Sequence, residues 1–305
     1  MSVTLIAGGV GGARMALALH EALPPGELTV IGNIGDDCEH WGLNISPDLD
    51  TVLYTLTGRI DLANGWGVAD DTRNLMATAI SLGEAEWFIL GDKDLALHVA
   101  RTRRLRAGEP LSSITADVAQ RWGCATRILP ATDDRLRTWI ATDDGELPFQ
   151  EWLVRRRAAD HVAGVRFEGA ADAQPAPGVL EAIASADRIV LAPSNPFVSL
   201  DPILAVAGLR DAVSARRADT IAISPVIAGK AVKGPIVGML DSLGHRPDAV
   251  GVARYLAPLT GTYVLDVADE ALAPDLAELD MAAICVPTLM ADPALRQGLA
   301  AAVLA

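Results

Sequence analysis

Four short stretches of this 305-residue chain carry side chains and turns suited to chemistry on a phosphate. The first is Gly8-Gly9-Val10-Gly11-Gly12-Ala13-Arg14, which follows an apolar strand pattern and opens a helix. Glycine lets the backbone approach a phosphate closely, and a helix N-terminus supplies free N–H groups and a favourable dipole. The stretch is not a P-loop, because no Gly-Lys-Ser/Thr follows. It is also a poor dinucleotide fingerprint: Arg14 occupies the third glycine position, and Asn33 stands where a ribose-binding acid is expected. Phosphate binding through Gly9, Gly11 and Gly12 is the expectation; a turn kept only for helix–sheet packing is the alternative.

The second stretch, Asn33-Ile34-Gly35-Asp36-Asp37, and the third, Ser46-Pro47-Asp48-Leu49-Asp50-Thr51, place four carboxylates within fifteen residues. Helix capping accounts for one of them. Hard oxygen ligands beside a phosphate suit Mg²⁺, which takes one or two carboxylates and completes its shell with water and substrate. At least one of them is expected to hold the metal, with Asp36 and Asp50 as the expected ligands, and Asp36, Asp48 and Asp50 are the expected catalytic group. Solvated loop charges are the alternative. The fourth stretch runs from Gly91 to Arg101. On a helix starting near Asp94, His98 and Arg101 share a face, and with Lys93 they form a candidate anion clamp. Ser194-Asn195-Pro196, and further on Ser224 to Lys230, end later strands at the edge where open α/β sheets bind ligands. No Ser-His-Asp or Cys-His arrangement stands out, so direct transfer is expected rather than a covalent intermediate.

Apolar runs at Val3–Ala7 and Leu28–Ile31, joined by a helix over about Arg14–Leu23, predict a βαβ opening. Helices are expected over Thr51–Thr57, Thr72–Leu82, Asp94–Arg104 and Ser113–Trp122. A short β region follows at Arg127–Leu129, Arg137–Ala141 and Leu147–Val154, with Asp143-Asp144-Gly145 as a hairpin turn. Strand–helix alternation then resumes with strands at Arg188–Ala192, Thr220–Ile223, Tyr263–Asp266 and Ala282–Val286. The expected fold is α/β: a Rossmann-like, mostly parallel sheet built from 1–50 and 160–305, with a largely helical insertion over 51–159. All six tryptophans lie between Trp41 and Trp152; they either fill the core of the insertion or wall a site for a flat polycyclic ligand.

Half of the residues are hydrophobic and 21% are charged, a composition that supports a large core. The net charge of −14 argues against nucleic acid and anionic membranes as partners. Cys38, Cys124 and Cys285 show neither a disulfide framework nor zinc spacing. No targeting segment is evident at the N-terminus, and a cytoplasmic protein is expected.

The ordered series GGVGGAR, NIGDD, SPDLDTVLYTL, GWG, WFILGDKDLALH, FQEWLV, PSNPFVS and SPVIAGK resembles the 2-phospho-L-lactate transferase family, whose bacterial members are described as phosphoenolpyruvyl transferases. The resemblance spans nearly the whole chain. It implies a Rossmann-like fold, Mg²⁺ dependence, a homodimer and a place in coenzyme F-420 biosynthesis. The donor is then lactyl- or enolpyruvyl-diphosphoguanosine, the acceptor 7,8-didemethyl-8-hydroxy-5-deazariboflavin, and GMP the leaving group. Gly9, Gly11, Gly12, Ala13, Arg14, Asn33, Ser194, Asn195 and Pro196 are carried over to the donor side; Asp50 and Lys93, with His98, to the acceptor side. Lys93 stands where relatives often carry arginine, which keeps the charge and loses the planar fork. Two rival readings are a nucleotide-sugar-binding regulator resembling the gluconeogenesis factor, and an NAD-dependent oxidoreductase.

Overall fold

The computed structural model describes residues 1–305. Seven strands form the central sheet: β1 (Val3–Ala7), β2 (Leu28–Gly32), β3 (Arg127–Pro130), β4 (Arg188–Leu191), β5 (Thr220–Ile223), β6 (Thr262–Leu265) and β7 (Ala282–Cys285). Their order across the sheet is β7-β6-β5-β4-β1-β2-β3, and every pairing is parallel. β1 is buried along its whole length, as a strand covered on both faces must be, and its uninterrupted apolar run follows from that. The order reverses at β1, which lies between β2 and β4. At such a switch point the crossovers leave on opposite faces and open a crevice beyond the strands' carboxyl ends.

The expected Rossmann-like α/β fold is present, with three differences of detail. Helix α1 spans Gly9–Ala22 and takes in the glycines that the sequence suggested as a loop before Arg14. Glycine is poor inside a helix, but a first turn that must approach other backbone closely tolerates nothing larger. Second, Arg127–Pro130 does not belong to a peripheral β region; it pairs with β2 as the edge strand of the main sheet. The segment expected as an insertion over 51–159 therefore contributes β3 to the sheet. It also shares one continuous core with it, through Val52, Ile114, Ile140 and Trp152. Third, the expected strand Leu147–Val154 ends at Pro148 and gives way to a helical turn over Glu151–Arg155. The Asp143–Asp144 hairpin is present, with Thr142 paired to Gly145.

Before β3 the chain runs through α2 (Pro47–Leu56), α3 (Asn74–Ser81), α4 (Asp92–Arg106) and α5 (Leu111–Arg121). Helix α2 starts beyond the end of β2, with Pro47 at its first position and Asp48 and Asp50 in its first turn. Proline there loses no intrahelical bond, and acids there complement the dipole. Every residue of α2 from Asp48 to Leu56 is buried, so its two aspartates are carried into the interior. No helix is long and apolar enough to cross a membrane.

Candidate active site

A cavity of about 670 Å³ opens at the switch point. Its floor is the turn from β1 into α1. Gly8 is extended, Gly9 has φ +68°, and no acidic residue or side-chain cap occupies the first turn of α1. The Gly9 N–H is directed at Asp48, and those of Val10 and Gly11 remain free for an anion. A β-carbon at Gly8 would fall 2.7 Å from Asp48 Oδ2, and one at Gly11 would fall 2.3 Å from the Pro193 carbonyl oxygen. The Ser194 hydroxyl donates to the Gly8 carbonyl at 2.7 Å. The β1 and β4 turns are thus stitched together, and Gly11 is where they touch. Gly11→Ala is expected to destabilise by about 1–3 kcal/mol, because the clash is with backbone that cannot rotate away. Urea denaturation measures it; an unchanged midpoint would refute the close approach.

Asn33 organises the first acidic group. It is fully buried, and its amide nitrogen donates to Asp36 Oδ1 at 2.8 Å and Asp48 Oδ2 at 2.9 Å. Its carbonyl oxygen accepts from the Gly35 N–H at 2.8 Å. Burial pushes the Asp36 carboxyl well above its usual range, and the neighbouring Asp48 charge adds to this against the Asn33 hydrogen bond. Burial also raises Asp48, to about 6, opposed by Asn33 and the Gly9 N–H. Asp37 lies behind the cavity wall, accepts from Ser46 Oγ at 2.7 Å, and is raised to about 7 by burial despite Arg137 and Arg101.

These shifts have a definite sign in stability. Between the ordinary aspartate value of about 4 and the raised values, the folded chain holds more protons than the unfolded chain. The stability of the ligand-free protein therefore falls as pH rises from about 4 and levels off beyond about 6 to 7. Melting temperatures across that window should decline by several degrees; a rise instead would contradict the burial of these acids.

A second group stands on the facing side. The Arg101 guanidinium grips Asp50 with two hydrogen bonds, one of 3.0 Å from Nη1 to Oδ2 and a shorter one from Nη2 to Oδ1. His98 lies between two acids, with Nδ1 3.6 Å from Asp50 Oδ2 and Nε2 3.3 Å from Asp94 Oδ1. Tyr54 donates to Asp94 at 2.5 Å. Burial would raise Asp94, but His98, Tyr54 and Arg101 together hold it below its ordinary value. Asp50, Asp94 and His98 present ligand atoms within 4.8 Å of one another.

Of the residues singled out in the sequence, Gly9, Gly11, Arg14, Ser194 and Asn195 line the cavity, as do Asp36, Asp48, Asp50 and His98. The expected metal pair, Asp36 and Asp50, faces one space but has different neighbours: Asp36 is grouped with Asp48, and Asp50 is engaged by Arg101. Gly12, Ala13, Asn33 and Pro196 stand behind the wall. Gly12 serves packing, since a β-carbon there would lie 3.0 Å from Ala7 Cβ. The expected clamp of Lys93, His98 and Arg101 does not form. Lys93 is exposed and donates to the Ala69 and Asp70 carbonyls at 3.0 and 2.8 Å, away from the lining, and Arg101 is spent on Asp50. Lys230 is likewise exposed, on a short hairpin outside the cavity. The residue missed is Lys233, three positions on, which does line it.

The lining also includes the apolar side chains Ile45, Phe88, Phe149, Leu153 and Val154, of which Ile45, Phe88 and Val154 pack in one small cluster. Trp66 is the only tryptophan in the lining. Trp152 is core, Trp122 stacks near Tyr54 at 5.9 Å, and Trp41 and Trp87 pack around His40. The lining thus takes aromatic side chains from Phe88 and Phe149, with Trp66, and the other tryptophans lie outside it.

The model of the family described as 2-phospho-L-lactate transferase CofD matches residues 3–282. A phosphoenolpyruvate transferase of Kitasatospora aureofaciens is 43% identical over 299 residues, covering 96% of this chain and 93% of its own. The phosphoenolpyruvate transferase of Streptomyces griseus is 41% identical over 298 residues, covering 96% and 94%. Among solved structures, a UPF0052-family protein of Bacillus halodurans superposes with a TM-score of 0.66 at 17% identity, over 100% of this chain and 98% of that one; at that identity the likeness speaks for the fold alone. With a glycine-opened helix and a buried acidic group facing one cavity, and a family match along almost its full length, the chain belongs to the 2-phospho-L-lactate transferase family.

Proposed function

We propose that this chain transfers a phosphoenolpyruvate or 2-phospholactate group from a diphosphoguanosine donor to the terminal hydroxyl of 7,8-didemethyl-8-hydroxy-5-deazariboflavin, releasing GMP, in coenzyme F-420 biosynthesis. The observation that carries this is one cavity lined by the N-terminus of α1, by the buried carboxylates Asp36, Asp48 and Asp50, and by a set of apolar side chains. The relatives' name, phosphoenolpyruvate transferase, favours the enolpyruvyl donor.

The chain's own residues divide the work. The N–H groups of Val10 and Gly11 hold the diphosphate, where helix polarity favours negative charge. Phe88, Phe149 and Leu153 hold the deazaflavin ring and exclude water from the reacting end. Asp50 and His98 are placed to orient the ribityl chain, and Arg101 fixes Asp50 for that purpose. Asp36 and Asp48 fit a divalent cation: both are buried carboxylates, joined by Asn33, with no cationic side chain bonded to either. Mg²⁺ bound there would neutralise phosphate charge as the P–O bond to GMP breaks. Little covalent work is then required of the protein, because alignment and neutralisation dominate such transfers. The implied homodimer remains part of this reading.

The test is the reaction. The purified chain with Mg²⁺, either donor and the deazaflavin alcohol should release GMP in step with product, followed by mass spectrometry. A folded, GDP-binding protein that releases no GMP with either donor would favour a regulator and overturn the proposal.

A further inference from the structure

Two cations lie in the cavity without an acid to neutralise them. Every carboxylate in its lining has its own partner: Asp36 and Asp48 share Asn33, Asp50 has Arg101, and Asp94 has Tyr54 and His98. Arg14, one turn into α1, and Lys233, from the segment after β5, line the same cavity from different parts of the chain. Both charged heads converge on the backbone of Gly65. A β-carbon there would be 3.5 Å from Lys233 Nζ, 3.9 Å from Arg14 Nη2 and 3.0 Å from Val10 Cγ1. Lys233 donates one hydrogen bond to the Asn64 carbonyl at 2.7 Å, which leaves two of its three N–H groups free. Partial burial and the nearby Arg14 charge hold its ammonium below the usual lysine range. In a chain of net charge −14, two like charges brought together and left unneutralised cost free energy unless an anion completes the group.

We propose that Lys233 and Arg14 form a two-cation clamp on the distal phosphate of the guanosine diphosphate donor, with the 61–67 loop holding Lys233 in place. This rests on the reading of the cavity as a donor site. Lys233 is the new element: it brings the C-terminal half of the sheet to the same phosphate that α1 approaches from the N-terminal half. Gly65 is needed on two grounds, its φ of +74° and the Val10 Cγ1 atom 3.0 Å from where a β-carbon would lie.

Calorimetry with GDP and GMP on the full chain separates the possibilities. Lys233→Met keeps the alkyl stem and removes the charge; it should weaken GDP by at least about ten-fold and GMP by less than about three-fold. Lys233→Arg should retain most of the GDP affinity, and Arg14→Ala should behave like Lys233→Met. Unchanged GDP affinity in Lys233→Met, or equal losses for GDP and GMP, would overturn the clamp while leaving the donor site standing. A wild-type chain that binds neither nucleotide would overturn the donor site and the clamp with it.

Discussion

Asp36→Asn is expected to lower turnover by at least about 100-fold while making the ligand-free protein more stable at mildly alkaline pH. The two effects share one cause. Asp36 is buried beside Asp48, and both are bridged by the Asn33 amide; its ionised form is disfavoured by burial and by the Asp48 charge. Asparagine keeps the shape and an oxygen to accept from Asn33, and removes the charge. At alkaline pH the wild-type chain must carry that charge in a poorly solvating place, and the variant need not. The cost of losing preorganised charge stabilisation in a transfer site is typically two to three orders of magnitude in rate. Differential scanning calorimetry with and without Mg²⁺ completes the test. Wild type should gain stability from Mg²⁺, increasingly as pH rises and the carboxylates ionise, and Asp36→Asn should gain little. Full activity in Asp36→Asn, or full wild-type activity in EDTA, would remove both the carboxylate and the cation from the mechanism.

The largest stability effect should come from Arg101→Ala. Its guanidinium is buried, with only 4% of the residue exposed, and both Asp50 oxygens accept from it. Removing it strands Asp50 in the interior, 3.6 Å from a histidine that is already shared with Asp94. Breaking a buried pair from one side costs about 3–5 kcal/mol, most of it the uncompensated charge left behind. The double variant Arg101→Met, Asp50→Asn should recover much of that loss, since neither residue then carries charge. Equilibrium urea denaturation reads both. If Arg101→Ala cost no more than a surface substitution, the pair would have to be solvated rather than buried. If the double variant were no better than the single one, lost packing rather than stranded charge would explain the effect. The double variant is not expected to recover turnover, because Asp50 lines the cavity and is the residue proposed to orient the acceptor.

Local chemistry was legible in the residues themselves. Strand positions β1, β2, β4, β5 and β6 follow from apolar runs that a doubly covered parallel strand requires; β7 shows an apolar run too, although it is exposed or half-buried at the sheet edge. The glycine turn and the aspartates at 36, 48 and 50 were visible as types at the carboxyl ends of strands, where open sheets gather ligands. What the spacing did not contain was partnership. Nothing near Arg101 in the chain indicates that it closes on Asp50, fifty-one residues away. Nor does anything near Lys93 indicate that its ammonium is taken up by the carbonyls of residues 69 and 70. A charged side chain reads the same in sequence whether it faces a ligand, an ion-pair partner or a backbone oxygen; only packing decides which desolvated charge it must meet. The position of β3 is hidden in the sequence for a related reason. Arg127–Pro130 is short and lies among peripheral strands in the chain, so only its pairing with β2 shows that it belongs to the main sheet. The same holds for Lys233, whose position beside Arg14 depends on β4 lying next to β1, and β5 next to β4, across the switch point. Periodicity and turn chemistry are properties of neighbouring residues and survive in one dimension. The pairing of buried charges is a property of distant residues brought into a medium that cannot solvate them, and it exists only once the chain has folded.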